Sequence, residues 1–194
     1  MKKLLISLSL LTATSVMIVF LNAAEITADD NPASIRVVCP KDYRTSFRAI
    51  RSGYFAERKL ITTTYANAQA MQVLTPGQLP YPNGSVFVFE YAEPLWAEDG
   101  TPLRDSDGMF LKGKVVRLDV MERGSGFGEV YGEDRAGEWE FASFQPDGTP
   151  LTQAWPDSPG VPPAAPAKCA ACHARVATRD FVFAGRFPLF TGEQ

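Results

Sequence analysis

Apolar and polar positions alternate most clearly in Ser85 to Tyr91 (SVFVFEY), which places Phe87, Phe89 and Tyr91 on one face of a strand and Val86, Val88 and Glu90 on the other. Three further segments carry strand patterns. Lys59 to Tyr65 (KLITTTY) is rich in β-branched residues, Lys114 to Val120 (KVVRLDV) is mostly apolar, and Glu138 to Phe144 (EWEFASF) sets aromatic residues against charged or small ones. Helical signals are shorter. Asp42 is placed to cap a helix through about Phe47, and Ala66 to Leu74 holds good helix formers before the break at Thr75-Pro76-Gly77. Breakers mark the rest: the turn Tyr81-Pro82-Asn83-Gly84, a polar loop over 92–110, a glycine-rich stretch over 124–132 and the turn Gln145-Pro146-Asp147-Gly148. A proline- and alanine-rich stretch over 156–167 reads as a stiff coil, with a short helix beginning around Cys169. The aromatic tail, Arg179 to Phe190, is expected to pack back on the domain. The fold class is α+β: a mainly antiparallel sheet with short helices near both ends.

The first 24 residues stand apart from this pattern. Lys2 and Lys3 form a basic head, an apolar run extends from Leu4 to Leu21, and Asn22-Ala23-Ala24 supplies small residues for cleavage. That is the layout of a secretory signal peptide. The alternative is an uncleaved anchor, which Ser7, Ser9, Thr12, Thr14 and Ser15 argue against by diluting the run. Residues 25–38 read as a flexible lead-in and 39–190 as one domain. Export predicts a periplasmic protein with no membrane span after cleavage. The chain carries a formal net charge of −3 and has no basic stripe, so nucleic acid is not expected as a partner.

The chemistry-bearing motif is Cys169-Ala170-Ala171-Cys172-His173, the attachment pattern of a c-type haem. Two thiols three residues apart reach two vinyl groups on one porphyrin edge, and the next residue then lies beneath the ring centre, where an imidazole meets the iron. A redox disulfide of the thioredoxin type would be expected early in the fold, after a strand. A zinc site would need a second ligand pair, and only Cys39 remains, with no second histidine. The motif therefore predicts one covalently bound haem c, with Cys169 and Cys172 as attachment sites and His173 as proximal iron ligand. Because His173 is the only histidine, the opposite iron position belongs to Met, Lys, another group or nothing. Met71, Met109 and Met121 read as core packing, and Cys39 as a free thiol or a link to another chain. Glu90, Arg104, Arg117 and Glu140 are each able to reach the haem or its propionates, and the sequence does not choose among them.

Several landmarks together resemble the cytochrome P460 family, which includes the cytochromes c′-β. They are Pro40-Lys41-Asp42-Tyr43-Arg44, Tyr81-Pro82-Asn83-Gly84-Ser85-Val86 leading to Glu90, Gly137-Glu138-Trp139-Glu140-Phe141 with Phe144, the haem motif, and Asp180-Phe181-Val182-Phe183. The resemblance implies a homodimer and a five-coordinate iron with an open distal pocket. Some members carry a lysine cross-linked to the haem and oxidise hydroxylamine or react with nitric oxide; others lack it and bind nitric oxide or carbon monoxide behind a hydrophobic cap. Here Phe89 stands where the resemblance places that lysine, and Lys112 and Lys114 lie outside the strand position. The coil before the motif has no carboxylate over 161–167. Both departures point to the gas-binding group, with Phe89, Phe87 and Phe55 as distal-pocket candidates in a dry pocket without hydrogen-bond donors near the iron. An oxidoreductase acting on hydroxylamine or nitric oxide and an electron carrier with a Met or Lys sixth ligand, serving a redox partner protein, are the alternatives.

Overall fold

The computed structural model describes residues 36–73, 78–151 and 166–183. Five antiparallel strands form one sheet in chain order: β1 (Arg48–Phe55), β2 (Leu60–Ala66), β3 (Val86–Pro94), β4 (Lys112–Arg123) and β5 (Trp139–Phe144). Two short α-helices flank it, α1 (Tyr43–Ser46) before the sheet and α2 (Pro166–His173) after it. The α+β reading with a mainly antiparallel sheet is what is observed, and the Cys169–His173 motif lies in α2. The expected signal peptide, most of the lead-in, most of the expected proline-rich coil over 156–167 and the tail beyond residue 183 lie outside the described residues.

Register decides which residues share a face. Across the sheet, Thr64, Phe89, Asp119 and Ser143 form one row, and Ala66, Phe87, Met121 and Phe141 form the next. Both rows lie on the side covered by α2, which packs mainly against β5 and the 3-10 segment Phe127–Asp134. The alternate positions, Val86, Val88, Leu118, Val120, Ala142 and Phe144, build a second apolar layer with Tyr43, Tyr65 and Val37 on the opposite face. The alternation expected for β3 therefore holds residue by residue.

The structure departs from the sequence reading at five points. β1 carries no strand signal because a bulge between Ala49 and Arg51 breaks its alternation. Ala49 packs with the opposite-face cluster, while its neighbours Ile50 and Arg51 both serve the α2 side. The helix expected over 66–74 shrinks to a 3-10 turn, Ala70–Gln72. The Asn67 side chain ends β2 instead: its Oδ1 accepts from the Ala70 and Val86 N–H groups, and its Nδ2 donates to the Gly84 carbonyl at 2.7 Å. Asp42 does not cap α1 with its side chain; Thr45 and Ser46 hydroxyls donate to its carbonyl. The loop over 92–110 is an extension of the β3–β4 hairpin, closed by the bridges Trp96–Pro102 and Arg104–Phe110. In addition, α2 begins at Pro166, three residues before Cys169, where a residue without an N–H costs the helix nothing.

The end of the lead-in is packed. Val37 is buried, and Arg36 donates from its backbone N–H and its Nε to Glu140, each at 3.1 Å. Glu140 is fully buried on the face away from α2.

Candidate functional site

Between the sheet and α2 lies a cavity of about 340 Å³. Its end nearest α2 is made by Phe87, Met121, Phe141, Cys169, His173, Val182 and Phe183. Phe87 is held rigidly there, packed edge-on to Tyr81 at 5.4 Å and tilted on Trp139 at 5.9 Å. Phe89 follows two residues along β3, half-buried, and Phe55 stands 52% exposed on β1. All three aromatic candidates line the cavity.

The His173 ring faces this space between Phe141 and Phe183, with centroids 4.8 Å from each. Its Nδ1 lies 2.6 Å from the Phe181 carbonyl oxygen. A carbonyl can only accept, so Nδ1 carries the proton and Nε2 keeps its lone pair. Burial pushes the imidazole pKa down, opposed by that same hydrogen bond, so the ring is neutral near pH 7. A neutral imidazole with one nitrogen anchored to a backbone carbonyl is the form that ligates a metal. Cys169 lines the same cavity, its thiol pushed up to about 11 by burial first and by the Asp119 charge second. Cys172 is exposed, and neither cysteine is in a disulfide. Ala170 is fully buried against the core, so only a small residue fits at that position of the motif.

The other end of the cavity is polar. Arg51, Thr62, Thr64, Tyr91 and Asp119 line it. Asp119 is the centre of a network: Arg117 Nε donates to it at 2.7 Å, Ser143 Oγ at 2.6 Å, and the Tyr91 phenol donates as well. Burial drives the Tyr91 phenol well above its ordinary range, and the Asp119 charge adds to this.

The four charged residues singled out for the haem edge separate in the fold. Glu90 is fully buried on the far face, where Lys112 Nζ donates to it at 2.5 Å, Arg44 Nε at 2.6 Å, and the Tyr43 hydroxyl also donates. Glu140 is on that face too, held by Arg36. Arg104 stacks on Phe110 in the hairpin extension, its guanidinium 3.6 Å from the ring centroid. Strand alternation had already placed Glu90 opposite Phe89; applied to Glu140, it would have excluded that residue in the same way. Arg117 faces the α2 side but is committed to Asp119 and Ser143. The cation that lines the cavity is Arg51, which the sequence reading missed because the β1 bulge that aims it inward has no sequence signature. Of the methionines, Met121 lines the cavity beside Phe141, at the His173 end, whereas Met71 packs on the core and Met109 sits in the hairpin extension.

A half-buried, neutral histidine with one free ring nitrogen, two reduced cysteines at the attachment spacing and a largely aromatic wall together fit a c-type haem. Cys169 and Cys172 would hold it covalently, His173 would ligate its iron, and Arg51 is placed to meet a carboxylate at the cavity mouth. The fold and site thus define a c-type haem protein. The family model for cytochrome P460 matches residues 40–184, about three-quarters of the chain, and the protein belongs to that family. Among curated proteins, none matches the chain. Members of the family are periplasmic c-type cytochromes, and among the described residues no helix is long and apolar enough to cross a membrane.

Proposed function

We propose that this cytochrome binds nitric oxide or another small neutral gas at a haem iron held by His173, behind a cap formed by Phe89 with Phe55; Phe87, packed at the His173 end, belongs to the wall of the cavity instead. The observation that carries the reading is Phe89. It faces the cavity in the register position where the family resemblance places a cross-linking lysine, and phenylalanine has no nitrogen with which to form that bond. When bound, the haem would supply a redox-active iron able to take a small ligand at an open position. The chain's residues decide what reaches that position. Where Phe89 and Phe55 border the cavity, a charged ligand gains no compensation for lost hydration, a cost of several kcal/mol, while a neutral diatomic loses little.

The ferrous protein tests this. A high-spin, five-coordinate spectrum that shifts on adding carbon monoxide is expected, with no strongly red-shifted Soret band. A low-spin spectrum indifferent to carbon monoxide would make the protein an electron carrier instead, and a strongly red-shifted band would indicate a cross-link.

One observation favours a second reading, an oxidoreductase acting on hydroxylamine or nitric oxide. Such chemistry needs a proton acceptor in the pocket, and the Asp119 carboxylate lines the cavity next to Phe89 in the register. Its carboxylate already accepts from Arg117, Ser143 and Tyr91, and Phe89 stands in place of the cross-linking lysine, so gas binding is preferred. Turnover of hydroxylamine that is abolished in Asp119→Asn would reverse that preference. The amino-terminal export pattern supports a periplasmic location, and the family resemblance supports a homodimer.

A further inference from the structure

His173 owes its orientation to a backbone oxygen in an unusual place. Asp180 and Phe181 are consecutive non-glycine residues in the left-handed region, with φ of 48° and 63°. Such residues persist only where the surroundings hold them, and they concentrate at functional sites. The backbone part of the turn is closed by Asp180 N–H donating to Ala177 O at 3.0 Å and Phe181 N–H to Val176 O at 3.2 Å.

The side chain of Asp180 supplies the rest. Its Oδ2 accepts from the Tyr81 N–H at 2.9 Å and faces Arg123 Nε at 3.4 Å. Tyr81 belongs to the turn before β3 and Arg123 ends β4, so one carboxylate ties the segment after α2 to two parts of the sheet. The Phe181 ring is fixed in turn by close packing over Gly137, where any added Cβ would collide with it. The outcome of these contacts is the direction of the Phe181 carbonyl, which accepts from His173 Nδ1.

We infer that Asp180 is a positioning residue for the iron's proximal ligand: its carboxylate, through Tyr81 and Arg123, holds the left-handed Asp180–Phe181 turn that presents the Phe181 carbonyl to His173. This rests on the reading of His173 as the iron ligand. A firm hydrogen bond from Nδ1 makes Nε2 a stronger donor and favours ferric iron, whereas a loosened one weakens the iron–histidine bond and favours ferrous iron.

The test compares holoproteins by resonance Raman of the ferrous state and by potentiometric titration. In Asp180→Ala the iron–histidine stretch moves to lower frequency and the midpoint potential becomes more positive. Asp180→Asn keeps an acceptor for the Tyr81 N–H and tolerates the left-handed conformation, so it stays closer to the wild type. Arg123→Gln shifts both readouts in the same direction by less, and it decides the matter if Asp180→Ala yields no holoprotein. A stretch and a midpoint that stay at wild-type values in these variants, whatever happens to thermal stability, overturn the inference. A wild-type ferrous protein with no iron–histidine stretch overturns the ligand reading beneath it instead.

Discussion

The two faces of the sheet use the same strands for different ends. On the far face, buried charge is matched closely: Glu90 meets Lys112, Arg44 and Tyr43, and Glu140 meets Arg36. Apolar side chains fill the space between these pairs, and the segment from Arg36 through α1 lies over them. On the α2 face the packing stops short. Phe87, Phe141 and Trp139 close one end tightly, yet Phe89, Phe55, Thr64 and Asp119 border open space. One face is organised to hold the sheet together and the other to leave room for a prosthetic group. Because alternate residues of a strand belong to different faces, Phe89 and Glu90 are chain neighbours with unrelated tasks.

This contrast is open to direct attack. The largest effect is expected at Glu90. Glu90→Ala leaves Lys112, Arg44 and Tyr43 without their common acceptor and costs about 3 kcal/mol in chemical denaturation, tempered by the partial exposure of the two cations. The spectrum of the haem is expected to stay as in the wild type. A changed spectrum with unchanged stability would mean that the faces are not separate.

Phe89→Ala should reverse the pattern. It costs about 1–3 kcal/mol, because the side chain is only half-buried and already borders a cavity. It also speeds carbon monoxide association with the ferrous protein in flash photolysis. An association rate equal to the wild type's would remove Phe89 from the cap.

Acid titration discriminates the faces further. Burial alone would raise the Glu90 carboxyl, but hydrogen bonds from Lys112, Tyr43 and Arg44 outweigh it and hold the group below its ordinary 4.5. Its contribution to stability is therefore complete above that value and is lost as pH falls through the lower folded value. Unfolding midpoints measured from pH 7 downward should fall steeply in the wild type and more gently in Glu90→Gln.

The smallest effect is expected at Glu122, which faces Glu140 across β4 and β5 and is raised by burial and by that neighbouring charge. A raised carboxyl stabilises below its unfolded pKa and loses that contribution as pH rises through the folded one. Glu122→Gln should therefore gain stability at pH 7, by up to about 1 kcal/mol, and little or nothing at pH 4.

Much of this arrangement was legible in the sequence. β2, β3, β4 and β5 appear within a few residues of their alternating segments, and the face assignment of Phe87, Phe89 and Tyr91 follows from period two alone. The attachment motif identifies three residues because its spacing is set by the porphyrin itself. What stayed hidden depends on contacts between distant segments. The bulge in β1 that turns Ile50 and Arg51 to one side is visible only once β2 is paired with it. Asn67 displaces a helix because it bonds to Gly84 and Val86, which belong to the next element. The polar end of the cavity is assembled from β1 through β5, so no local window contains it.

The central claim is that Cys169 and Cys172 hold a haem over the open face of the sheet. Cleavage after Lys168 and Arg175 releases the peptide Cys169–Arg175, whose mass reports the bond directly. The account predicts that this peptide from the purified protein carries the mass of one haem and absorbs in the Soret region, and that Cys169→Ala with Cys172→Ala yields it bare. A peptide of unmodified mass from the wild-type protein, matured where c-type haem is attached, would contradict it.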